Sequence, residues 1–313
     1  MRAFAFDALG EPGSIHDLPD PEPGDGQVRI KVGAGALNPF DNAVFKGFLK
    51  DRMPHHFPLV PCSDLAGRIE KLGGGVGQWK VGDEVFGILG TMKIGEGTLA
   101  EHAIATAGTI ARRPAGLDVQ FGAALPLAGV SAQMCIDPMG LTEGKTVVIL
   151  GGAGGIGGFA VQLAKLTGAH VIAVTRSANA DYVKGLGADE VIDYATQNVV
   201  DAVRKSQPNG IAGIVHTSGE PETAAALSAL VNEGGYVTSM RGGAKIEDLA
   251  KRNITGINVM TMTTTAALEK LAALVETGKL KRPQIKTFEL EDTNQAFDEI
   301  ATGHARGKLV VNV

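Results

Sequence analysis

The chain has 313 residues, length for about two domains of ~150 residues each, and 29 Lys+Arg against 34 Asp+Glu give a net charge of −5. That balance offers no basic excess to neutralise a phosphate backbone, so nucleic acid is not an expected partner. Two cysteines, Cys62 and Cys135, exclude by number both a disulfide framework and a four-cysteine zinc site, and a reducing compartment, the cytoplasm, is the expected setting.

In chain order, residues 1 to about 115 read as an all-β region. Short apolar or alternating runs (Met1–Asp7, Gln27–Ala34, Leu65–Lys71, Glu84–Ile88, Thr98–Ile104) alternate with Gly/Pro punctuation. The start, Met1-Arg2-Ala3-Phe4, lacks the apolar core of a signal peptide, so no leader is expected. Pro19, Pro21, Pro23 and Gly24 predict a connector. From about 116 the pattern switches to strands alternating with helices. Strands are predicted at Thr146–Leu150, Val171–Thr175, Val191–Ile192, Ile211–His216 and Gly235–Ser239. Helices are predicted at Gly157–Gly168, Asp181–Leu186, Val199–Lys205 and Pro221–Asn232. Such alternation implies parallel βαβ units and a doubly wound sheet. After about 265 come a helix at Ala266–Thr277, the segment Lys286–Leu290, a helix near Thr293–Thr302 and a last strand at Lys308–Val313. The uncharged stretch Thr146–Ala164 is long enough for a membrane span. Its six glycines and one glutamine fit a buried strand-turn-helix better, and a soluble protein is expected.

That stretch contains the strongest motif. Gly152-Ala153-Gly154-Gly155-Ile156-Gly157 matches G-x-G-x-x-G, directly after the apolar strand Val147–Leu150 and at the head of an apolar helix. This is the context a dinucleotide fingerprint requires. Gly152 permits the tight turn, Gly154 lets backbone approach a pyrophosphate, and Gly157 lets helix pack on strand; the helix N-terminus then holds the anion. A glycine turn with no ligand is the bland alternative. NAD-specific folds place an acidic residue after the second strand to bind the ribose 2′-OH. Here Thr175-Arg176-Ser177 stands there, with no carboxylate before Asp181. Arg and Ser at a strand end suit a 2′-phosphate, which favours NADPH; a solvated surface arginine is the alternative.

Across nearly its whole length the sequence resembles the medium-chain dehydrogenase/reductase superfamily, in its zinc-independent quinone oxidoreductase-like branch. The resemblance rests on Leu37-Asn38-Pro39-Phe40-Asp41, on the run from Phe57 to Gly67, and on Val81-Gly82-Asp83-Glu84-Val85-Phe86-Gly87. Gly97–His102, Leu125–Ala132, the glycine fingerprint, Leu186-Gly187-Ala188-Asp189 and Arg306–Val310 follow in the family's order. It implies a Rossmann doubly wound parallel sheet plus a GroES-like β-barrel catalytic domain. The expected division is 1–115 catalytic, 116–265 dinucleotide-binding and 266–313 catalytic again. The resemblance also implies that Asn38 stands beside the nicotinamide, orienting a substrate oxygen or the carboxamide, although a turn-forming Asn before Pro39 is an equal reading. It places Ser131 at a helix start near the nicotinamide and Tyr194 by the adenosine phosphate. Thr217, Ser218 and Gly219 fall beneath the nicotinamide ribose, and Ser239 and Met240 at the end of the next strand.

Three departures bear on chemistry. Where zinc-dependent relatives carry ligands, this chain has Asn38 and Pro61-Cys62-Ser63-Asp64, and adjacent His55 and His56 diverge on a strand or loop. Ala43 replaces a tyrosine common in relatives, which leaves the proton donor open, and Ala180 replaces a phosphate-binding lysine. Without a Lewis acid for an alcohol, reduction of a quinone or conjugated C=C is the chemistry expected. The alternatives are a catalytically weak NADPH-binding sensor or structural protein and, further off, a zinc alcohol dehydrogenase. The β-prone run Thr255–Met260 suits a sheet edge, and a homodimer through it is expected.

Overall fold

A computed structural model describes residues 1–91 and 93–313. Along the first stretch lie strands β1 (Arg2–Ala5), β2 (Ser14–Asp17) and β3 (Gln27–Leu37), helix α1 (Pro39–Phe45), and strands β4 (Asp64–Leu72), β5 (Glu84–Ile88), β6 (His102–Thr106) and β7 (Ile110–Arg112). Helix α2 (Val119–Ala124) follows. The region is therefore not all-β as expected. Pro39 fits the first helical position, where no N–H is needed, and the Asp41 carboxylate accepts the Asn38 N–H at 2.7 Å across the first turn. The strand expected at Thr98–Ile104 begins only at His102, because the Thr98 and Leu99 amides turn aside to the Pro61 carbonyl.

The middle of the chain runs α3 (Pro126–Ile136), β8 (Thr146–Leu150), α4 (Gly155–Leu166), β9 (His170–Thr175), α5 (Ala180–Leu186), β10 (Glu190–Asp193) and α6 (Val199–Ser206). It continues through β11 (Ile211–His216), α7 (Pro221–Leu227), β12 (Val231–Ser239), α8 (Ile246–Ala250) and β13 (Thr255–Asn258). The last stretch holds α9 (Thr265–Glu276), β14 (Ile285–Glu289), α10 (Thr293–Ala301) and β15 (Lys308–Asn312). The helix expected over Pro221–Asn232 stops at Leu227. A 3-10 turn at Ser228–Leu230 follows, and β-branched Val231 joins the sheet opposite Ile211.

The chain divides into two compact units: Met1–Leu127 with Thr263–Gly278 and Gln284–Val313, and Ala128–Met262 with Lys279–Pro283. The first break falls at 127/128 rather than near 115 because α2, capped by Asp118, buries Phe121, Gly122, Ala123 and Ala124 while packing against β3 and β4. The first unit carries a sheet in the order β14-β15-β3-β4-β5-β7, with β6 also on β3. Its core includes Phe4, Phe6, Leu37, Val44 and Phe297, with the Phe6 and Phe297 rings edge to face at 5.0 Å. A second cluster gathers Val28, Ile30, Ile69, Val85 and Ile110 around Trp79, whose indole N–H is satisfied by the Ala107 carbonyl.

The second unit is a parallel sheet in the order β10-β9-β8-β11-β12-β13. Numbered from its own first strand, that is 3-2-1-4-5-6, the doubly wound order whose switch point lies between β8 and β11. Val148, Leu150, Ile172, Val174, Ile214 and Val237 supply its core. Both strands at the switch point are buried, so their carboxyl ends, Leu150 and His216, are fixed in register. The stretch Thr146–Ala164 is β8, the glycine turn and most of α4, and no helix among the described residues is long and apolar enough to cross a membrane.

Candidate active site

In the first unit the sheet register converges on one polar cluster. Leu37 ends β3 opposite Leu309, and Ala36 pairs with Asp64 at the start of β4, so the ends of β3, β4 and β15 meet. Asn38, Asp64 and Lys308 occupy those ends, and all three are buried. The Lys308 ammonium donates to Asn38 Oδ1 at 2.7 Å and to the Leu37 carbonyl at 2.9 Å, and lies 3.5 Å from Asp64 Oδ2. Asn38 Nδ2 donates to Asp64 Oδ2 at 2.8 Å, and the Leu127 N–H donates to Asp64 Oδ1 at 2.9 Å. One cation thus faces two buried carboxylates, Asp64 and Asp41. Burial pushes the Asp41 carboxyl up to about 7; the Asp64 charge adds to this, while the Asn38 N–H and Lys308 oppose it. Burial also raises Asp64, with Lys308 acting against it, and raises the thiol of Cys62, which hydrogen-bonds the Asp41 carboxylate.

The sign of the Asp41 effect is fixed. Between pH 4 and 7 folded Asp41 keeps a proton that the unfolded chain has lost, so its contribution falls as pH rises through that window, by at most about 1.4 kcal/mol per pH unit. Asp41→Asn cannot ionise and keeps an oxygen for the Asn38 N–H. Urea midpoints at pH 5 and pH 8 should therefore differ less in Asp41→Asn than in the wild type; equal differences would show that Asp41 does not titrate there.

In the second unit the glycine fingerprint forms a tight turn. Gly151 has φ +83°, and a Cβ on it would lie 2.6 Å from the Ser218 Cβ. A Cβ on Gly157 would come within 2.1 Å of the Gly151 carbonyl, so helix α4 can start against the turn only with glycine there. Gly152 abuts Ala173, whereas at Gly154 the nearest atom to a Cβ is 3.5 Å away, which leaves its outer side open. Gly154 is the N-cap, and no side chain caps the helix. The first-turn amides of Gly155, Ile156 and Gly157 therefore have no intrahelical acceptor. An uncapped, glycine-walled helix start at the switch point fits a pyrophosphate.

The other predicted positions are distributed as follows. Thr175 is buried at the end of β9 and accepts from the Asn179 amide. Arg176 Nε donates to the Tyr194 hydroxyl at 3.0 Å, with the guanidinium over the ring at 5.9 Å. The Ser177 N–H and hydroxyl both engage Asp193, whose carboxyl is held low by the Ala195 and Ser177 amides. Thr217 is tied to the Leu150 carbonyl through Oγ1 at 2.7 Å. Gly219 takes φ +94°, and the Met240 N–H returns to the His216 carbonyl. Ser131, expected at a helix start, lies five residues into α3 because Pro126 takes the first position; it is buried, with Oγ 2.6 Å from Thr261 Oγ1. Three residues carry these arrangements without having stood out in the sequence: Lys308, Asp193 and His216, the last bonded to Ser239 and Gly219.

The residues where a family metal would bind do not fit zinc. A lysine ammonium already sits among Asn38 Oδ1, Leu37 O and Asp64, and burial disfavours the Cys62 thiolate that zinc needs. His55 Nδ1 faces the Met53 carbonyl, and among the described residues no three His, Cys, Asp or Glu side chains are grouped for a metal.

Residues 24–115 match the alcohol dehydrogenase GroES-like domain family, and residues 186–311 match a family described as zinc-binding dehydrogenase. The chain is 33% identical to the chloroplastic quinone-oxidoreductase QR1 of Triphysaria versicolor, over 99% of this chain and 98% of that protein. It is 32% identical to the NADPH-dependent alkenal/one oxidoreductase of Arabidopsis thaliana chloroplasts, over 93% and 73%. The solved quinone oxidoreductase of Coxiella burnetii superposes with a TM-score of 0.89 at 29% identity, covering 100% of this chain and 99% of the other. Fold, glycine turn and relatives agree: the chain belongs to the medium-chain dehydrogenase/reductase superfamily, in its quinone oxidoreductase-like branch. It is an oxidoreductase with a nicotinamide cofactor.

Proposed function

We propose that the protein reduces quinones or α,β-unsaturated carbonyl compounds with NADPH and without zinc. The observation that carries the reading is the Lys308 ammonium held among Asn38, Leu37 and Asp64, where a metal-dependent relative needs an electron-poor ion with an open ligand position. Acceptors that are already electron-poor need no Lewis acid. Bound NADPH supplies the hydride. Asn38 has one Nδ2–H left after Asp64 is served, and this N–H stabilises the oxygen on which negative charge develops. Lys308 and Asp64 keep the amide from turning. The open first turn of α4 holds the pyrophosphate, and Arg176 on Tyr194 holds the 2′-phosphate.

The test follows NADPH absorbance over a panel of quinones and enones, with and without chelator. Turnover is expected on some of them and unchanged by chelator. About one zinc per chain, with activity lost to chelator, would overturn the zinc-free part; nucleotide binding without any turnover would favour a sensor.

An Arg–phosphate contact contributes about 1.5–3 kcal/mol. Arg176→Ala should accordingly raise the KM for NADPH at least tenfold and leave that for NADH nearly unchanged. Equal effects on both nucleotides would remove the phosphate assignment.

We also propose a homodimer and a reducing compartment such as the cytoplasm. β13 is the last strand of its sheet, paired among the described residues with β12 alone, and Met260 beyond it is 82% exposed. Light scattering at micromolar concentration should give twice the 32.3 kDa chain mass; a particle of one chain mass rejects the dimer.

A further inference from the structure

We propose that His216 is a positioning residue for the nicotinamide nucleotide: its neutral ring latches the loops that follow β11 and β12, and a second proton on the ring unlatches them. The proposal rests on the dinucleotide reading above and concerns the same end of the sheet.

The hydrogen bonds fix which ring nitrogen carries the proton. Ser239 Oγ accepts from the Arg241 N–H at 3.1 Å and from the Gly243 N–H at 2.9 Å, which fills its two lone pairs. Its single hydroxyl proton then points to His216 Nδ1, 3.0 Å away, so Nδ1 is the acceptor. The ring proton is on Nε2, which donates to the Gly219 carbonyl at 3.2 Å. One neutral imidazole thereby joins residues 217–219 to residues 239–243. The first of these loops is the wall of the glycine turn, since Thr217 bonds the Leu150 carbonyl and Ser218 packs on Gly151.

An imidazolium cannot keep this arrangement. With a proton on Nδ1, the ring N–H and the Ser239 O–H would face each other, and the ring N–H could reach Oγ only in place of the Arg241 or the Gly243 amide. The Gly243 backbone lies against the ring, close enough that a Cβ on it would come within 2.7 Å of Nδ1. Two charged groups act on the ring, Arg241 after β12, which opposes the charged form, and Glu220 before α7, which favours it. Its register partners, Leu150 on β8 and Ser239 on β12, do not titrate in the accessible range. Burial is the largest influence and holds the imidazole below its ordinary value, so the latch is closed at neutral pH and opens on acidification.

The experiment is fluorescence titration of the intact protein with NADPH and with NADH between pH 5 and 8.5, with circular dichroism to confirm folding at each pH. NADH has no 2′-phosphate to titrate, so a slope shared by both nucleotides belongs to the protein. The wild-type Kd should rise at least tenfold from pH 8 to pH 5. His216→Asn keeps an acceptor for Ser239, and His216→Gln keeps a donor for Gly219. Neither titrates, and whichever of the two folds should bind with a Kd that changes less than threefold over the range. Nitrogen NMR of the wild type at pH 7.5 should show the Nε2–H tautomer. A wild-type Kd that does not change with pH, a variant that keeps the wild-type slope, or an Nδ1–H tautomer would each overturn the proposal. Failure of both nucleotides to bind at pH 8 would overturn the dinucleotide reading and this role with it, whereas binding without the slope overturns this role alone.

Discussion

Lys308→Met should destabilise the fold by about 3–5 kcal/mol, the usual cost of removing one partner from a buried ion pair. Methionine matches the aliphatic stem of lysine in length but brings no donor. The Leu37 carbonyl and Asn38 Oδ1 lose a donor, and the Asp64 carboxylate remains buried without its cation. Leaving a buried carboxylate unpaired is far more costly than losing the pair, since an apolar replacement of both partners is often nearly neutral. The second substitution therefore decides the mechanism. Asp64→Asn keeps an oxygen for the Leu127 N–H and carries no charge, so Lys308→Met/Asp64→Asn should recover at least half of the loss. Urea denaturation of both single variants and the double closes the cycle. If the double variant is as unstable as the sum of the singles, Lys308 stabilises through its bonds to the Leu37 carbonyl and Asn38 Oδ1, and the ion pair contributes nothing.

How much of this was readable beforehand follows from the range of the interactions involved. The six parallel strands came from apolar runs bounded by turn residues, and the glycine motif came from its place between β8 and α4. Both are local patterns, and the structure preserves them. Helix α1 was missed because Pro39-Phe40-Asp41-Asn42-Ala43 is too short to show a helical period. Its start is set by one capping contact, from Asn38 N–H to Asp41, and by Pro39. Cys62 adopts φ +74°, a conformation that costs a non-glycine residue about 1–2 kcal/mol and that no pattern of neighbours announces. Lys308 read as the first residue of a terminal strand, and its importance depends on residues 270 and 244 positions away in the chain. His216 likewise read as the end of an apolar strand, because its partner Ser239 arrives only when β12 pairs with β11. Residues that meet through sheet pairing leave no mark at short sequence distance, and in this fold most of the site polarity is assembled that way.

Asn38→Ala should lower turnover about 100-fold, the lower end of the ~100–1000-fold loss seen when one oxyanion donor is removed from a well-formed site. The geometry adds a second consequence. Asn38 links Lys308 to Asp64 through its side chain, so alanine leaves two buried charges short of a partner, at a cost of about 1–3 kcal/mol or more, while the backbone contact from its N–H to Asp41 stays. A slow variant could then be slow only because less of it is folded. Asn38→Ser separates the two roles, since its hydroxyl gives back one polar partner among the buried charges but cannot serve Lys308, Asp64 and a substrate oxygen together. Both variants should be about 100-fold slower in kcat per folded molecule, with the serine form melting closer to the wild type. Affinity for NADPH should change little, because the glycine turn belongs to the other compact unit. Should Asn38→Ser turn over quinones and enones at the wild-type rate, the amide serves only the fold, and the donor to the developing oxyanion has to be sought elsewhere.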